Sequence, residues 1–493
     1  MARFITIGPL AFGLITGLVN SAVAGPLEDG NSALQRGDAA AAMSLWRPLA
    51  DRGNAEAQRN IGMMYYSGRS IPQNYAEALV WLRKAAEQGD VRAQNNVGAM
   101  YYTGQGIPQN FTEALRWYGK AAAQGDAKTQ FNLGIMHYTG QGGPQDYAEA
   151  MKWFHKAAEQ GHVEAQKNLG NMYNAGLGAL ENPLEAIAWY RRAAEKGNAE
   201  AQNGLGYMYA YGRGVPENHT EAMAWLRKAA DQGFAEAEKN IATMYDTGLG
   251  VPENPTEAHA WYRKAAARGN VEAQFNLGSM YSTDYYAKKG ITRDYAEAFR
   301  WFHEAADQGY AEAQFVVGNM IELGQGVTQD VPVAALWYQK AAENGDLKAQ
   351  KKIGALFESG TGVAKDLTQA LQWYRKAAEK GDAGMQFVVG RMYSTGSGVK
   401  QNFTEAAKWF RMGADQGDAD SQVNLAGLYE NGQGVTKDSV QALMWYSVAA
   451  ERIPETKADK RAEVARKREA LTAVMTSADV AEAKKRASQW KPK

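Results

Sequence analysis

The sequence predicts an all-α fold, a solenoid of about eleven helix-turn-helix repeats of 36 residues closed by capping helices. Three observations carry this. Trp81, Trp117, Trp153, Trp189, Trp225 and Trp261 are each 36 residues apart; one step of 40 leads to Trp301, and Trp337, Trp373, Trp409 and Trp445 return to 36. A block of the type Ala-x-Ala-Gln keeps the same step, beginning at Ala55, Val91, Ala127, Val163, Ala199, Ala235, Val271, Ala311, Leu347, Ala383 and Ala419. Glycine is in excess, at 52 residues against 13 prolines, as an array with a glycine turn in every unit requires. Periods of this length belong to stacked supersecondary units, and finding them precedes any local assignment.

The first helix of each unit is set by apolar residues at helical spacing. Ala57, Ile61 and Tyr65 lie on one face, and Gly62 beside them lets a neighbouring helix come close. A turn follows, in most units of the form Gly-x-Gly-Val, as in Gly212-Arg213-Gly214-Val215; glycine takes positive φ there without steric cost. The second helix opens on Asn or Asp with Glu or Gln three residues on. Asn74 with Glu77, Asn110 with Glu113 and Asp146 with Glu149 are examples, and Asp330 with Val333 is the exception. This spacing predicts a reciprocal capping box, and Pro183 and Pro255 take the favoured first helical position. The helix continues through Ala78, Trp81, Leu82, Ala85 and Ala86 and stops at Gly89. No unit can bury its Trp and Tyr alone, so neighbours must supply the core.

The ends depart from the period. Residues 25–54 read as an N-terminal cap in which 31–54 form one lone helix of the second type, with Leu45-Trp46 and Leu49-Ala50 in the places of Trp-Leu and Ala-Ala. The repeats run over 55–454, and 455–493 form a C-terminal cap. That cap has a helical run Lys457–Val474, Ser477 as the next N-cap, and a second helix ending near Trp490. The start of the chain reads as a secretory signal over 1–24. Arg3 is followed by an apolar run from Phe4 to Val19 and by Ala22-Val23-Ala24, a small-residue cleavage site that places cleavage near Ala24. A retained anchor is the alternative reading. The run is shorter than the roughly 20 apolar residues of a span and is broken by Pro9 and glycines. The expectation is a periplasmic or secreted protein with no integral membrane segment after cleavage.

Composition removes several function classes. The 54 Lys+Arg balance 54 Asp+Glu, which predicts no nucleic-acid partner. There is no cysteine, so disulfides, thiolate zinc sites, iron–sulfur clusters and cysteine nucleophiles are excluded. His137, His155, His162, His219, His259 and His303 never form a His-Glu-x-x-His pair, and no metal or other cofactor is expected. The Gly-x-Gly turns join helix to helix with no preceding strand and are not dinucleotide fingerprints. Paired carboxylates recur with the capping position, and no serine stands in a nucleophile context. No catalytic residue is assigned.

The unit Ala-x-Ala-Gln-x-x-Leu-Gly-x-Met-Tyr-x-x-Gly-x-Gly-Val-x-x-Asn-x-x-Glu-Ala-x-x-Trp-Tyr-x-Lys-Ala-Ala-x-x-Gly resembles the Sel-one-like repeat, a relative of the tetratricopeptide repeat. The ending from Leu471 to Trp490 is similar to the tail of bacterial members. The resemblance covers about four fifths of the chain. It implies a right-handed α-solenoid whose first helices line a concave groove. It also implies an adaptor, since periplasmic members bind sensor kinases, peptidoglycan enzymes or polysaccharide-export machinery. Cysteine-rich relatives associated with β-lactams carry a disulfide in each repeat, and this chain has none.

By analogy with tetratricopeptide geometry, columns of first-helix residues face the groove. One begins Tyr66, Tyr102, Tyr138 and ends with Glu322, Glu358, Ser394 and Glu430; another contains Arg59, Phe131, Phe275, Phe315 and Phe387. Exposed aromatics beside Arg and Asn suit peptide or glycan contact, because flat amphipathic rings bury much area at small entropic cost. These side chains either bind a ligand or pack sideways on neighbouring repeats. A third column, with Asn60, Asn96, Asn132, Asn168, Asn240, Asn276 and Asn424, is expected to bridge adjacent helices. Asp284–Gly290 holds the four extra residues of the long step, and the tail 451–493 carries a net charge of +5 against −6 for 25–450. The basic tail suits an anionic lipid, an acidic partner or simply a solvated helix face.

The reading is therefore a non-catalytic periplasmic or secreted scaffold that binds cell-envelope proteins through its groove. The alternatives are a peptidoglycan- or polysaccharide-binding module, or a hydrolase of β-lactams or muropeptides using groove carboxylates such as Glu322 and Glu358.

Overall fold

The computed structural model describes residues 25–69 and 71–492. Among these residues there are 27 helices and no strand. The expected secretory segment, with its apolar run and Ala22–Ala24, lies outside the described residues. No helix of the described residues is long and apolar enough to cross a membrane. The chain divides into two compact units, one ending at Glu253 and one beginning at Asn254. Within each, the successive helices of the repeats pack on one another. Both are α-solenoid stacks.

The repeat is a pair of 13-residue helices, such as Ala55–Ser67 with Tyr75–Glu87 and Val91–Thr103 with Phe111–Ala123. Small residues set the spacing. Ala57, Ala78 and Ala85 are fully buried. A Cβ on Gly62 would stand 2.7 Å from Leu82 Cγ, and one on Gly98 2.7 Å from the Tyr118 ring. Core clusters straddle the repeats: Ala78, Leu82 and Ala86 pack with Val97 and Met100 of the next unit and with its Trp117. The lone repeat has no closed core, which is why the array is required.

The loops do more than turn. The second glycine of each Gly-x-Gly has positive φ and is pressed against the start of the preceding unit's second helix. A Cβ on Gly142 (φ +87) would be 2.5 Å from Phe111 O, and one on Gly178 (φ +80) 2.5 Å from Tyr147 O. In the unit with four extra residues, a short helix Asp284–Ala287 takes the loop, and Gly290 has open space where a Cβ would go.

A glutamine ladder runs through both stacks. Buried Gln130 Nε2 donates to Ala122 O at 3.1 Å, and its Oε1 accepts from Gln160 Nε2 at 2.8 Å. Gln58, Gln94 and Gln202 make both bonds at the same place in their own repeats. Each link ties the C-terminal carbonyls of one second helix to the first helix of the next unit, where a helix would otherwise leave them bare.

The capping box is only half present. Asn110 Oδ1 accepts from Glu113 N at 3.1 Å, as expected, but the Asn110 backbone N–H donates to Tyr101 O at 2.8 Å, an orphan carbonyl at the end of the first helix. The same bond joins Asn74 to Tyr65 and Asp146 to His137. The N3 glutamate is thus released from the reciprocal role. Glu113 pairs with Arg116 at 2.8 Å, and Glu149 with Lys152 at 2.8 Å. Asp330 caps through Val333 N at 3.0 Å, so the pair lacking Glu or Gln loses nothing.

The N-terminal cap holds two helices, Pro26–Gln35 and Ala39–Asp51, in place of the single one expected. Gly37, at φ +85, stops the first, and Asp38 caps the second through Ala41 N. They form a degenerate repeat in which Trp46 closes over Gly30. The C-terminal cap comprises Ala458–Val474 and Ser477–Gln489. Its second N-cap is Thr476 rather than Ser477: Thr476 Oγ1 accepts from Asp479 N at 3.2 Å. Trp490 ends the stack edge-on to Trp445, 5.9 Å between ring centroids.

Candidate functional site

The first helices of the unit ending at Glu253 line a groove of about 1110 Å³. Tyr102 stands at one end and Tyr207 toward the other. Between them lie Phe131, Tyr138, Asn168, Asn171, Asn174 and Asn203, with Lys167 flanked by Glu164 and Glu200 at 3.4 and 3.3 Å. Its chemistry is that of aromatic edges and carboxamides around a neutralised lysine. Asn171 is held by Tyr190 OH at 2.7 Å and bonds Glu200 at 3.2 Å. Asn174 Oδ1 is buried with no hydrogen-bond partner among the described residues, and no described side chain bonds Asn168. Two carboxamides thus line the groove with bonding capacity to spare.

The tyrosine column is partly ligand surface and partly packing. Tyr102 and Tyr138 line the groove; Tyr66 lies outside it. Each ring meets the first residue of its own second helix edge-on, Tyr66 with Tyr75 at 5.4 Å, Tyr102 with Phe111 at 5.3 Å and Tyr138 with Tyr147 at 5.1 Å. Tyr66 OH donates to Gln105 Oε1, and Tyr102 OH to Gln141 Oε1 at 2.8 Å, in the loop of the following repeat. Burial raises the phenol of Tyr102 above its ordinary value, so it stays a neutral donor.

The second column is a seam. Arg59 pairs with Asp90 at 2.8 Å, and Lys351 with Asp382 at 2.9 Å; both acids are N-caps of the next unit's first helix. Opposite the aromatic N-caps His162 and Tyr310 the column places a phenylalanine. Phe131, 8% exposed, stacks on His162 at 4.5 Å, and Phe275 meets Tyr310 edge-on at 5.2 Å. Phe315 packs on Tyr338 at 5.5 Å and Phe387 on Phe410 at 6.1 Å. Of this column Phe131, Lys167 and Asn203 reach the groove. The asparagine column bridges as expected at Asn60, which donates to Asn31 at 3.0 Å, while Asn168 is diverted to the groove.

The acidic end of the first column is occupied. Glu322 accepts from Tyr338 OH at 2.5 Å and Lys352 Nζ at 2.8 Å, and Glu358 from Tyr374 OH at 2.7 Å. Burial raises the Glu322 carboxyl, but the bonds from Lys352 and Tyr338 outweigh it and hold the group below its usual range. That is the opposite of a general acid kept protonated near neutrality.

His155 and His162 have structural roles. His155 Nε2 lies 3.1 Å from Tyr173 OH, and His162 caps its helix by accepting from Ala165 N at 3.3 Å on Nδ1. No group of three metal-ligating side chains occurs among the described residues. Burial lowers the His162 pKa, and a ring that accepts the capping bond at Nδ1 is neutral. An unfolded chain would bind this proton more readily, so stability from His162 is present above the ordinary histidine value near 6.5 and is lost as pH falls through the depressed folded value. His162→Asn keeps a cap without the titration. Melting curves from pH 7.5 to 5 are expected to fall less steeply for this variant than for the parent; equal slopes would contradict the role.

Ile135, Asn171 and Tyr207, all at the groove, share a position that column reasoning passed over: the residue between the helix glycine and the following methionine. Its signal was variability, Met63, Ala99, Ile135, Asn171 and Tyr207 in successive units, inside an otherwise uniform motif.

Comparison with known proteins agrees with the geometry. The family model described as the Sel1 repeat matches eleven times, at 55–90, 91–126, 127–162, 163–198, 199–234, 235–270, 271–310, 311–346, 347–382, 383–418 and 419–452. A crystal structure of a protective antigen present in uropathogenic Escherichia coli strains, with an SLR fold, is 33% identical over 91% of this chain and 94% of its own, at a TM-score of 0.53. A Sel1 repeat protein from Oxalobacter formigenes is 31% identical over 70% of this chain and 98% of its own, at a TM-score of 0.55. No curated protein matches significantly.

Proposed function

Because the chain belongs to the Sel1 repeat family, whose members are generally protein-interaction scaffolds, we propose that it is a non-catalytic, exported scaffold of the cell envelope that holds an extended segment of a partner protein in the groove between Tyr102 and Tyr207. The carrying observation is the pair Asn168 and Asn174, carboxamides with unused bonding capacity set among aromatic edges. A carboxamide donates and accepts at once, which matches the alternating N–H and C=O of a peptide main chain, and the rings bury its side chains. Lys167 is neutralised by Glu164 and Glu200, so a strongly charged ligand gains little there. The commitment of Glu322 and Glu358 to tyrosine and lysine supports a scaffold over a hydrolase. Export rests on Arg3, the apolar run to Val19 and Ala22-Val23-Ala24.

A photo-crosslinker at Tyr102 in living cells tests this. The expected result is a discrete protein adduct whose yield falls by about tenfold, an affinity loss of about 1.4 kcal/mol, when Asn168 and Asn174 are both alanine. Fractionation of the same cells is expected to place the chain outside the cytoplasm. Retention on purified peptidoglycan with no protein adduct would transfer the groove to a glycan, and turnover of a labelled wall fragment would overturn the non-catalytic reading.

A further inference from the structure

The C-terminal cap contains a cavity that the scaffold groove does not explain. About 440 Å³ opens between the helices 439–452, 458–474 and 477–489, within the size range of small-ligand sites. Its lining mixes the apolar Leu443, Ala465 and Ala473 with the hydroxyls of Ser447 and Thr472 and the cations Arg468 and Lys484.

Two of these groups are donors with nothing to donate to. Ser447 is 8% exposed, and its Oγ is buried without a hydrogen-bond partner among the described residues; Arg468 Nε is buried in the same condition. Buried donors are nearly always satisfied, so two orphans on one cavity call for an acceptor. The nearby cations contrast with them. Lys467 pairs with Glu463 at 3.2 Å and Arg486 with Glu482 at 2.7 Å, whereas Arg468 and Lys484 have no carboxylate partner among the described residues.

We propose that this cavity binds the carboxyl terminus of a peptide. The two carboxylate oxygens take hydrogen bonds from Ser447 and the Arg468 guanidinium, with Lys484 adding charge. The terminal side chain lies on Leu443 and Ala473. The balance of charge selects the ligand class. Glu469 also lines the cavity, so its wall carries two cations and one anion. A single carboxylate completes neutrality, while a phosphate dianion would leave an excess negative charge beside Glu469. The planar guanidinium matches a carboxylate with two parallel bonds. This site lies in the unit beginning at Asn254 and stands or falls apart from the groove reading.

The test is fluorescence anisotropy on the full chain with dye-labelled Ala-Ala-Leu, as the free acid and as the C-terminal amide. The free acid is expected to bind, and the amide at least about tenfold more weakly. Arg468→Met, Ser447→Ala and Lys484→Met are each expected to weaken the acid by about fivefold or more, and Lys485→Met, outside the cavity, by less than about twofold. Lys484 is exposed, so its variant remains informative even where Arg468→Met perturbs folding. Equal binding of acid and amide, no binding of the acid up to millimolar concentration, indifference to Lys484→Met, or competition by inorganic phosphate as effective as by unlabelled acid would each overturn the proposal.

Discussion

Gly178→Ala is expected to destabilise the protein by about 2–5 kcal/mol, far more than an alanine in a turn ordinarily costs, because two penalties add. The residue has φ +80, where an L side chain pays about 1–2 kcal/mol. Its new Cβ would also stand 2.5 Å from Tyr147 O and 2.7 Å from Tyr147 C, backbone atoms that cannot rotate away, and overpacking of that kind costs about 1–3 kcal/mol more. Gly197→Ala is the control. That glycine has φ +89 and nothing within 4 Å of its Cβ position, so only the conformational penalty applies. Urea denaturation of the two variants separates the terms: equal midpoints would mean that the loop does not press on the preceding repeat.

Gln130→Glu is expected to cost about 3–5 kcal/mol near neutral pH, although it changes one atom. Gln130 is buried, with its amide nitrogen on Ala122 O and its oxygen on Gln160 Nε2. The carboxylate would turn a donor into a second acceptor facing a carbonyl and would bury an unpaired charge. Its folded pKa must then lie above its unfolded one. The folded state binds the extra proton, so the loss is complete above the raised folded value and shrinks as pH falls toward the unfolded value near 4.3. Denaturation midpoints at pH 7.5 and pH 5 should converge toward the parent at the lower pH. A loss independent of pH would assign the effect to geometry rather than charge. Gln130→Leu serves as the neutral comparison, at about 1–3 kcal/mol.

Much of this architecture was legible because the tryptophan step and the Ala-x-Ala-Gln block are enforced by the core of every unit. The period, both helices, the N-cap of the second helix and the Gly-x-Gly turns could be read from residue types alone. What was not legible depends on partners one repeat away. Glu113 three residues after Asn110 looks like half of a capping box, yet the competing acceptor is Tyr101 O, which only the folded pair brings into reach. Phe131 and Arg59 share a column and look like ligand contacts, but their partners, His162 and Asp90, sit 31 residues on and decide that both belong mainly to the seam. The groove was half visible. Tyr102, Tyr138 and Phe131 were in the expected columns, while Asn171 and Tyr207 lay in a position that is apolar or small in some units and polar in others.

The loop glycines also give the array a direction. Gly142 rests on Phe111, Gly178 on Tyr147 and Gly398 on Leu367, so the support of every Gly-x-Gly loop comes earlier in the chain. A polypeptide delivered amino end first presents every docking residue before the loop that needs it, and the stack can lengthen one unit at a time without waiting for its far end. Shortening is unequal in the same sense. Removing units from the carboxyl end leaves all remaining loops supported, whereas removing them from the amino end strips the first remaining loop of its seat.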